Sequence, residues 1–253
     1  VVLLPISGKE IILREISGAE DMLLLGGADT VPRLVRDFLV ELAHVDAESI
    51  EQLPVGDVEW LLLAVRRALL GEIVQADMLC PSQGCGARID VMFRVSDYVR
   101  HRRPSRAIRA AADSGDPWLS DARTGLTFRV PTLADQIALS GRPRAAAELL
   151  RLCVREAETT GAQRKADSLL DKLAPTLSNY ITGECPECGA RVEAYFDIEQ
   201  FVLRELRDTA ARLYDDVHHI AFAYGWSEKE IVSLPRSRRI AYAERIATEA
   251  VSS

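Results

Sequence analysis

Apolar residues along this chain recur at two spacings, and the switch between them outlines its elements. Val31, Leu34, Val35, Phe38 and Leu42 fall on one face of a helix, with Thr30 placed as its N-cap. Val58, Leu61, Leu62, Val65 and Leu69 repeat that spacing from Asp57, and Gly71 ends the run. Residues 1–16 alternate only loosely, which predicts a short hairpin or edge strands. Short β-prone segments follow at 73–79 and 88–93, and again at 177–183 and 191–196. Between them, 125–131 predicts a strand stopped by proline, and Thr132 with Asp135 opens a helix to about residue 139. Helices are expected over 143–158 and 163–173, and a mobile loop over the Ala-, Ser-, Asp- and Gly-rich stretch 104–125. Residues 198–224 read as one helix of about seven turns, stopped by Gly225. Ser227 and Glu230 then form a capping box, with Trp226 set to staple against Ile231. A last helix from Arg236 completes a helical hairpin.

The four β-prone segments enclose two copies of one motif. The first reads Cys80-Pro-Ser-Gln-Gly-Cys85-Gly-Ala-Arg-Ile-Asp-Val-Met-Phe93, the second Cys185-Pro-Glu-Cys188-Gly-Ala-Arg-Val-Glu-Ala-Tyr-Phe196. The match continues at Val95 and Ile198, Tyr98 and Phe201, and Val99 and Val202. Each copy predicts strand, cysteine knuckle, strand, with a glycine after the second cysteine where the turn is tightest. Two such units can pair about a pseudo-twofold and bring Cys80, Cys85, Cys185 and Cys188 together as the tetrahedral ligands of one structural Zn2+ per chain. The long interval between the pairs leaves two other arrangements open: cysteines without metal, or two separate sites completed by other residues. A catalytic zinc is disfavoured, because four thiolates close the shell that a hydrolase keeps open.

Composition narrows the class. Hydrophobic residues at 48% and charged residues at 27% suit a soluble globular chain, and frequent Ala, Leu and Arg favour helices. The net charge of -7 argues against a dedicated nucleic-acid binder. A basic run (Arg94, Arg100, Arg102, Arg103, Arg106, Arg109) reads as a solvated linker face. No apolar run approaches the ~20 residues needed to span a bilayer. Five cysteines are too few for a disulfide scaffold, and Cys153 sits in an apolar helical stretch as a core residue. His218-His219 reads as a helix face, and neither a hydrolase elbow nor a phosphate loop is present. The expected fold is α+β and predominantly α-helical. Its N-terminal region is 1–103, its linker 104–124 and its C-terminal region 125–253, the two regions joined by the zinc.

Four stretches together resemble the T-even-phage-type baseplate hub assembly chaperones and baseplate proteins of contractile phage tails and injection systems. They are Val55-Gly-Asp-Val-Glu-Trp-Leu-Leu-Leu-Ala-Val-Arg-Arg67 leading to the first knuckle, Phe128-Arg-Val-Pro-Thr-Leu-Ala-Asp135, the second knuckle with Phe196-Asp-Ile198, and Ala223-Tyr-Gly-Trp-Ser-Glu-Lys-Glu-Ile-Val-Ser-Leu-Pro235. The chain departs from the pattern in its expanded first knuckle. The resemblance implies a non-enzymatic protein that binds baseplate, hub or tail-tube proteins, with no small-molecule substrate and no membrane. It implies a cytoplasmic place during assembly, and incorporation into the particle for some relatives. Tyr224, Trp226, Arg238, Arg239 and Tyr242 are the candidate partner-binding residues, since aromatics and arginine dominate interface energetics. The competing class is a zinc-ribbon regulator acting on nucleic acid or the transcription machinery, with the terminal hairpin as the reading element.

Overall fold

The computed structural model describes residues 1–108, 116–155 and 160–251. Two-residue strands β1 (Val2–Leu3) and β2 (Glu10–Ile11) open the chain. Helices α1 (Gly18–Gly26), α2 (Val31–Ala43), α3 (Ala47–Glu51) and α4 (Val55–Leu70) follow. The first knuckle lies between β3 (Ile73–Leu79) and β4 (Arg88–Arg94), which runs into α5 (Val95–Arg100). Next come β5 (Leu119–Asp121), β6 (Leu126–Phe128), α6 (Leu133–Leu139), α7 (Ala145–Cys153), β7 (Val154–Arg155) and α8 (Thr160–Leu173). The second knuckle lies between β8 (Asn179–Glu184) and β9 (Arg191–Phe196). The chain ends in α9 (Ile198–Ala210), α10 (Leu213–Tyr224), α11 (Glu228–Val232) and α12 (Arg236–Val251). The architecture is therefore mixed α+β, rich in helix, with small sheets and a helical C-terminal region.

Two expectations need correction. The single helix over 198–224 is broken at 211–212 into α9 and α10. Its apolar spacing runs through the break, with Leu203, Leu206, Ala210, Leu213 and Ile220 all buried, so periodicity alone shows no interruption. The Thr209 hydroxyl donates back to the Leu206 carbonyl at 2.7 Å, a local bond that competes with the helical ladder. Thr30 does sit at the N-cap of α2, yet its hydroxyl makes no cap bond and is buried without a partner. Two more expectations change: the helix expected over 143–158 ends at Cys153, where Val154–Arg155 turns extended and pairs with β6, and the expected loop over 104–125 contains strand β5, its residues 109–115 lying outside the described residues.

The chain divides into two compact units. One gathers Ile11–Gln52 with the chain from Leu203 onward. Its apolar core includes Leu34, Val35, Phe38, Leu39 and Leu42 of α2. A cluster of buried charge ties its two chain segments. Asp21 of α1 is fully buried and bonds Arg236 and Arg239 of α12, the latter at 2.6 Å. Arg239 also meets Asp216 of α10 at 3.2 Å. Gly18 permits the approach of α1 to α11, since a Cβ there would lie 2.8 Å from the Val232 carbonyl oxygen.

The other unit holds Val2–Glu10 and Leu53–Val202. Its axis is α4, where Val58, Leu61 and Leu62 are fully buried. Each such side chain contributes about 1.5–3 kcal/mol over exposure. Two buried carboxylates on its first turns hold distant backbone. Asp57 accepts the Ile6 and Ser7 N–H groups, each at 2.8 Å. Glu59 accepts those of Leu177 and Ser178, at 2.5 and 3.2 Å. A second core joins Ile6, Ile108, Leu126, Phe128, Val154, Ala166 and Leu169 over the sheet β5-β6-β7.

Candidate metal centre

Helix α4 positions both knuckle-bearing hairpins from one face. Arg66 donates to the carbonyls of Gly71 and Ile73, each at 2.7 Å, and so fixes the start of β3. Glu59, two turns earlier, fixes the segment that leads into β8. The hairpins are antiparallel, with Ile73 to Leu79 paired against Arg94 to Arg88, and Asn179 to Glu184 against Phe196 to Arg191.

The repeat seen in the sequence is also a repeat of bonding. The Cys80 N–H donates to the Ala87 carbonyl at 2.8 Å, and the Cys185 N–H to Ala190 at 2.9 Å. Gly86 and Gly189 follow the second cysteine with φ of 60° and 68°, a left-handed turn that a side chain would strain. The expanded first knuckle absorbs its two extra residues locally. Gly84 turns at φ 81°, and the Cys85 N–H bonds the Ser82 carbonyl at 3.1 Å.

These turns bring all four sulfurs within 4.8 Å of one another. The nearest approaches run between the knuckles: Cys80 to Cys188 at 3.7 Å and Cys85 to Cys185 at 3.9 Å. A zinc–sulfur bond of about 2.3 Å implies a tetrahedral edge of about 3.8 Å. A disulfide needs about 2.05 Å, so the spacing fits a shared ion and not a bridge. Ile89 and Val192, equivalent residues of the two repeats, floor the site with Met78 and Ala87. Cys80 and Cys185 are buried, Cys85 half-buried and Cys188 exposed.

The thiols are electrostatically unequal. The Cys188 N–H, helped by that of Glu187, holds the Cys185 thiol down at about 7 against desolvation. At Cys80 the Ser82 N–H pulls the same way, but desolvation and the other three sulfurs outweigh it and push the thiol up to about 12. Cys85 is also raised: the Ala87 N–H lowers it, while Cys188 and desolvation prevail. Four clustered sulfurs with backbone donors are suited to a cation that displaces the remaining protons.

Behind the sulfurs the repeats meet through aromatic rings. Phe93 stacks on Tyr98 at 5.0 Å and meets Phe196 edge-on at 5.4 Å, and Phe196 packs on Phe201 at 4.8 Å. Tyr98 also donates its hydroxyl to the Leu177 carbonyl.

The expected partner-binding residues separate into two groups. Tyr224, Trp226 and Tyr242 form a trio with centroids 5.1–5.8 Å apart, and the Arg238 guanidinium lies 5.9 Å from the Tyr242 ring. Trp226, expected to staple against Ile231, meets these rings. Arg239 is only 1% exposed and is bound to Asp21 and Asp216, so it acts inside its unit and not at its surface. Cys153 is fully buried, and desolvation pushes its thiol up to about 12, which leaves it an inert core residue. The sequence reading missed Asp21, Glu59 and Glu199. Each sits beside apolar residues, and the only signal was a charge at a position whose helical neighbours are core.

Among the described residues, no helix is long and apolar enough to cross a membrane. No curated protein and no solved structure matches the chain. A family model described as T4 bacteriophage base plate protein matches residues 1–184, which takes in the first knuckle and ends at the residue before Cys185. That match covers well over half of the sequence, and the chain belongs to the T4 bacteriophage base plate protein family.

Proposed function

We propose that this chain is a non-enzymatic baseplate component or baseplate assembly chaperone of a contractile phage tail or phage-like injection system, working by protein–protein binding. One structural zinc per chain, held by Cys80, Cys85, Cys185 and Cys188, ties the region before residue 103 to the region after 125. The observation that carries this reading is the set of four sulfurs within 4.8 Å of one another, two of the distances close to a tetrahedral edge, inside a baseplate-family chain. Four thiolates leave no coordination position for substrate, so the metal acts by fixing the two hairpins. The partners are other baseplate, hub or tail-tube proteins. Tyr224, Trp226, Tyr242 and Arg238 supply a half-exposed aromatic and cationic surface of the kind that anchors interfaces.

The test is affinity capture of the tagged full chain from cells producing the particle, with metal content measured on the same sample. Recovery of tail or baseplate proteins with one zinc per chain is expected. Recovery of polymerase subunits, or salt-dependent binding to duplex DNA, would replace this reading with the zinc-ribbon regulator.

A further inference from the structure

The outer faces of the two knuckle hairpins share a register and carry different side chains. Tyr180 of β8 lies directly opposite Tyr195 of β9, with ring centroids 5.2 Å apart and ring planes inclined at 63°. Counted from the cysteines, Gln75 and Met92 hold the same places in the first hairpin, where they also face each other. There the Gln75 amide donates to the Met92 sulfur at 3.7 Å. A knuckle hairpin therefore does not demand a tyrosine pair. Nor does the core use it: Tyr180 and Tyr195 are 58% and 56% exposed, while the other face of their hairpin buries Val192 and Phe196. An aromatic pair held open to water in this way is typical of a surface that meets another molecule.

The surroundings of the pair are acidic. Alternation along the strands puts Glu184, Arg191 and Glu193 on the same outer face, with Glu184 opposite Arg191 and Glu193 next to the rings. Among the described residues neither Glu184 nor Glu193 has an ion-pair partner. Desolvation first, and then Asp197, Glu59, Tyr180 and Glu199, hold the Tyr195 phenol above its ordinary value, so the ring sits in a negative field. Other aromatic rings of the chain already carry a cation. Arg102 lies over Tyr98, Arg155 over Trp118 and Arg238 over Tyr242. Among the described residues no cation lies over Tyr180 or Tyr195.

We infer that the Tyr180–Tyr195 face of the second hairpin is a docking surface for a basic segment of a partner protein, with a lysine or arginine side chain seated against the two rings beside Glu193. A cation is attracted to a ring within about 6 Å of its centroid, and centroids 5.2 Å apart let one cation reach both. The unpaired carboxylates of the same face complement the charge of the incoming segment. This inference rests on the reading that the chain works by protein–protein binding, and it adds a contact in the unit that does not contain the Trp226 trio.

The experiment is an NMR titration of the metal-loaded full chain at low salt with a tri-arginine peptide, and with tri-glutamine as the uncharged control. Saturable shifts of the Tyr180 and Tyr195 ring resonances are expected with tri-arginine alone. Tyr180→Gln combined with Tyr195→Met installs the pair that the first hairpin already carries and leaves every carboxylate in place. It should weaken tri-arginine binding about tenfold. Glu193→Gln keeps both rings and should weaken binding about twofold, which decides the matter if the double variant folds poorly. Equal ring shifts with tri-glutamine, equal shifts at the Met92 methyl, or an affinity unchanged by these substitutions would overturn the docking surface. The probe is a peptide and the readout is local, so failure here leaves the baseplate reading intact, and that reading fails only by what the tagged chain captures.

Discussion

The two units hold distant parts of the chain together by different chemistry. In one, four cysteines from segments 108 residues apart meet in a cluster that could hold a metal ion. In the other, Asp21 meets Arg236 and Arg239 across more than 200 residues, and Asp216 completes a set of two carboxylates and two guanidiniums. That set balances its charges within the chain, with only the Arg239 Nη1 buried without a partner. The cysteine site carries no such internal charge balance. With the proposed zinc, one clasp is conditional on supply, while the other is conditional only on folding.

The largest effect is expected from Cys185→Ser. Structural zinc sites contribute up to about 10–16 kcal/mol in small domains. Thermal melts should show the variant destabilised to the level of chelated wild type, with no further loss on adding chelator. Unchanged melts in both cases would remove the metal clasp from the comparison. Next is Asp21→Asn, which leaves buried Arg236 without a counter-ion and Arg239 with Asp216 alone, and should cost about 3–5 kcal/mol by denaturant unfolding. Its loss should be the same with and without chelator.

Glu59→Ala sharpens the contrast, because Glu59 holds backbone near the second knuckle without touching a sulfur. Leaving the Leu177 and Ser178 N–H groups unpaired should cost about 1–3 kcal/mol. Metal loss to a competing chelator should also quicken, which Asp21→Asn should not reproduce. The smallest effect on stability belongs to Trp226→Ala at the half-exposed aromatic trio. That variant should melt close to wild type yet lose partner capture, and full capture would exclude the trio as an anchor.

The two clasps were also unequally legible. The cysteine site could be read because its ligands are rare residues in a repeated local motif, and the knuckle turn needs glycine at fixed places. Helices α2 and α4 were legible for a related reason, since one apolar face per helix leaves a period in the sequence. Asp21, Asp216, Arg236 and Arg239 left no such trace, because common charged residues announce nothing until folding shows which of them are buried together. The break at 211–212 was hidden because the apolar spacing continues across it while only the backbone bonding changes. Nor does any local signal say that Ile11–Gln52 joins the C-terminal helices in one unit, since that choice is made by long-range packing.

The separation of the two knuckles has a consequence for how the protein is made. Cys85 and Cys185 lie 100 residues apart, and neither knuckle supplies four ligands alone. At synthesis rates of about 5–20 residues per second, roughly 5–20 s pass between their emergence from the ribosome. Throughout that interval the nascent chain carries two bare thiols on a finished first hairpin. With the proposed zinc, metal capture would be timed late in translation, and a chain cut short before Cys188 would lack its fourth ligand.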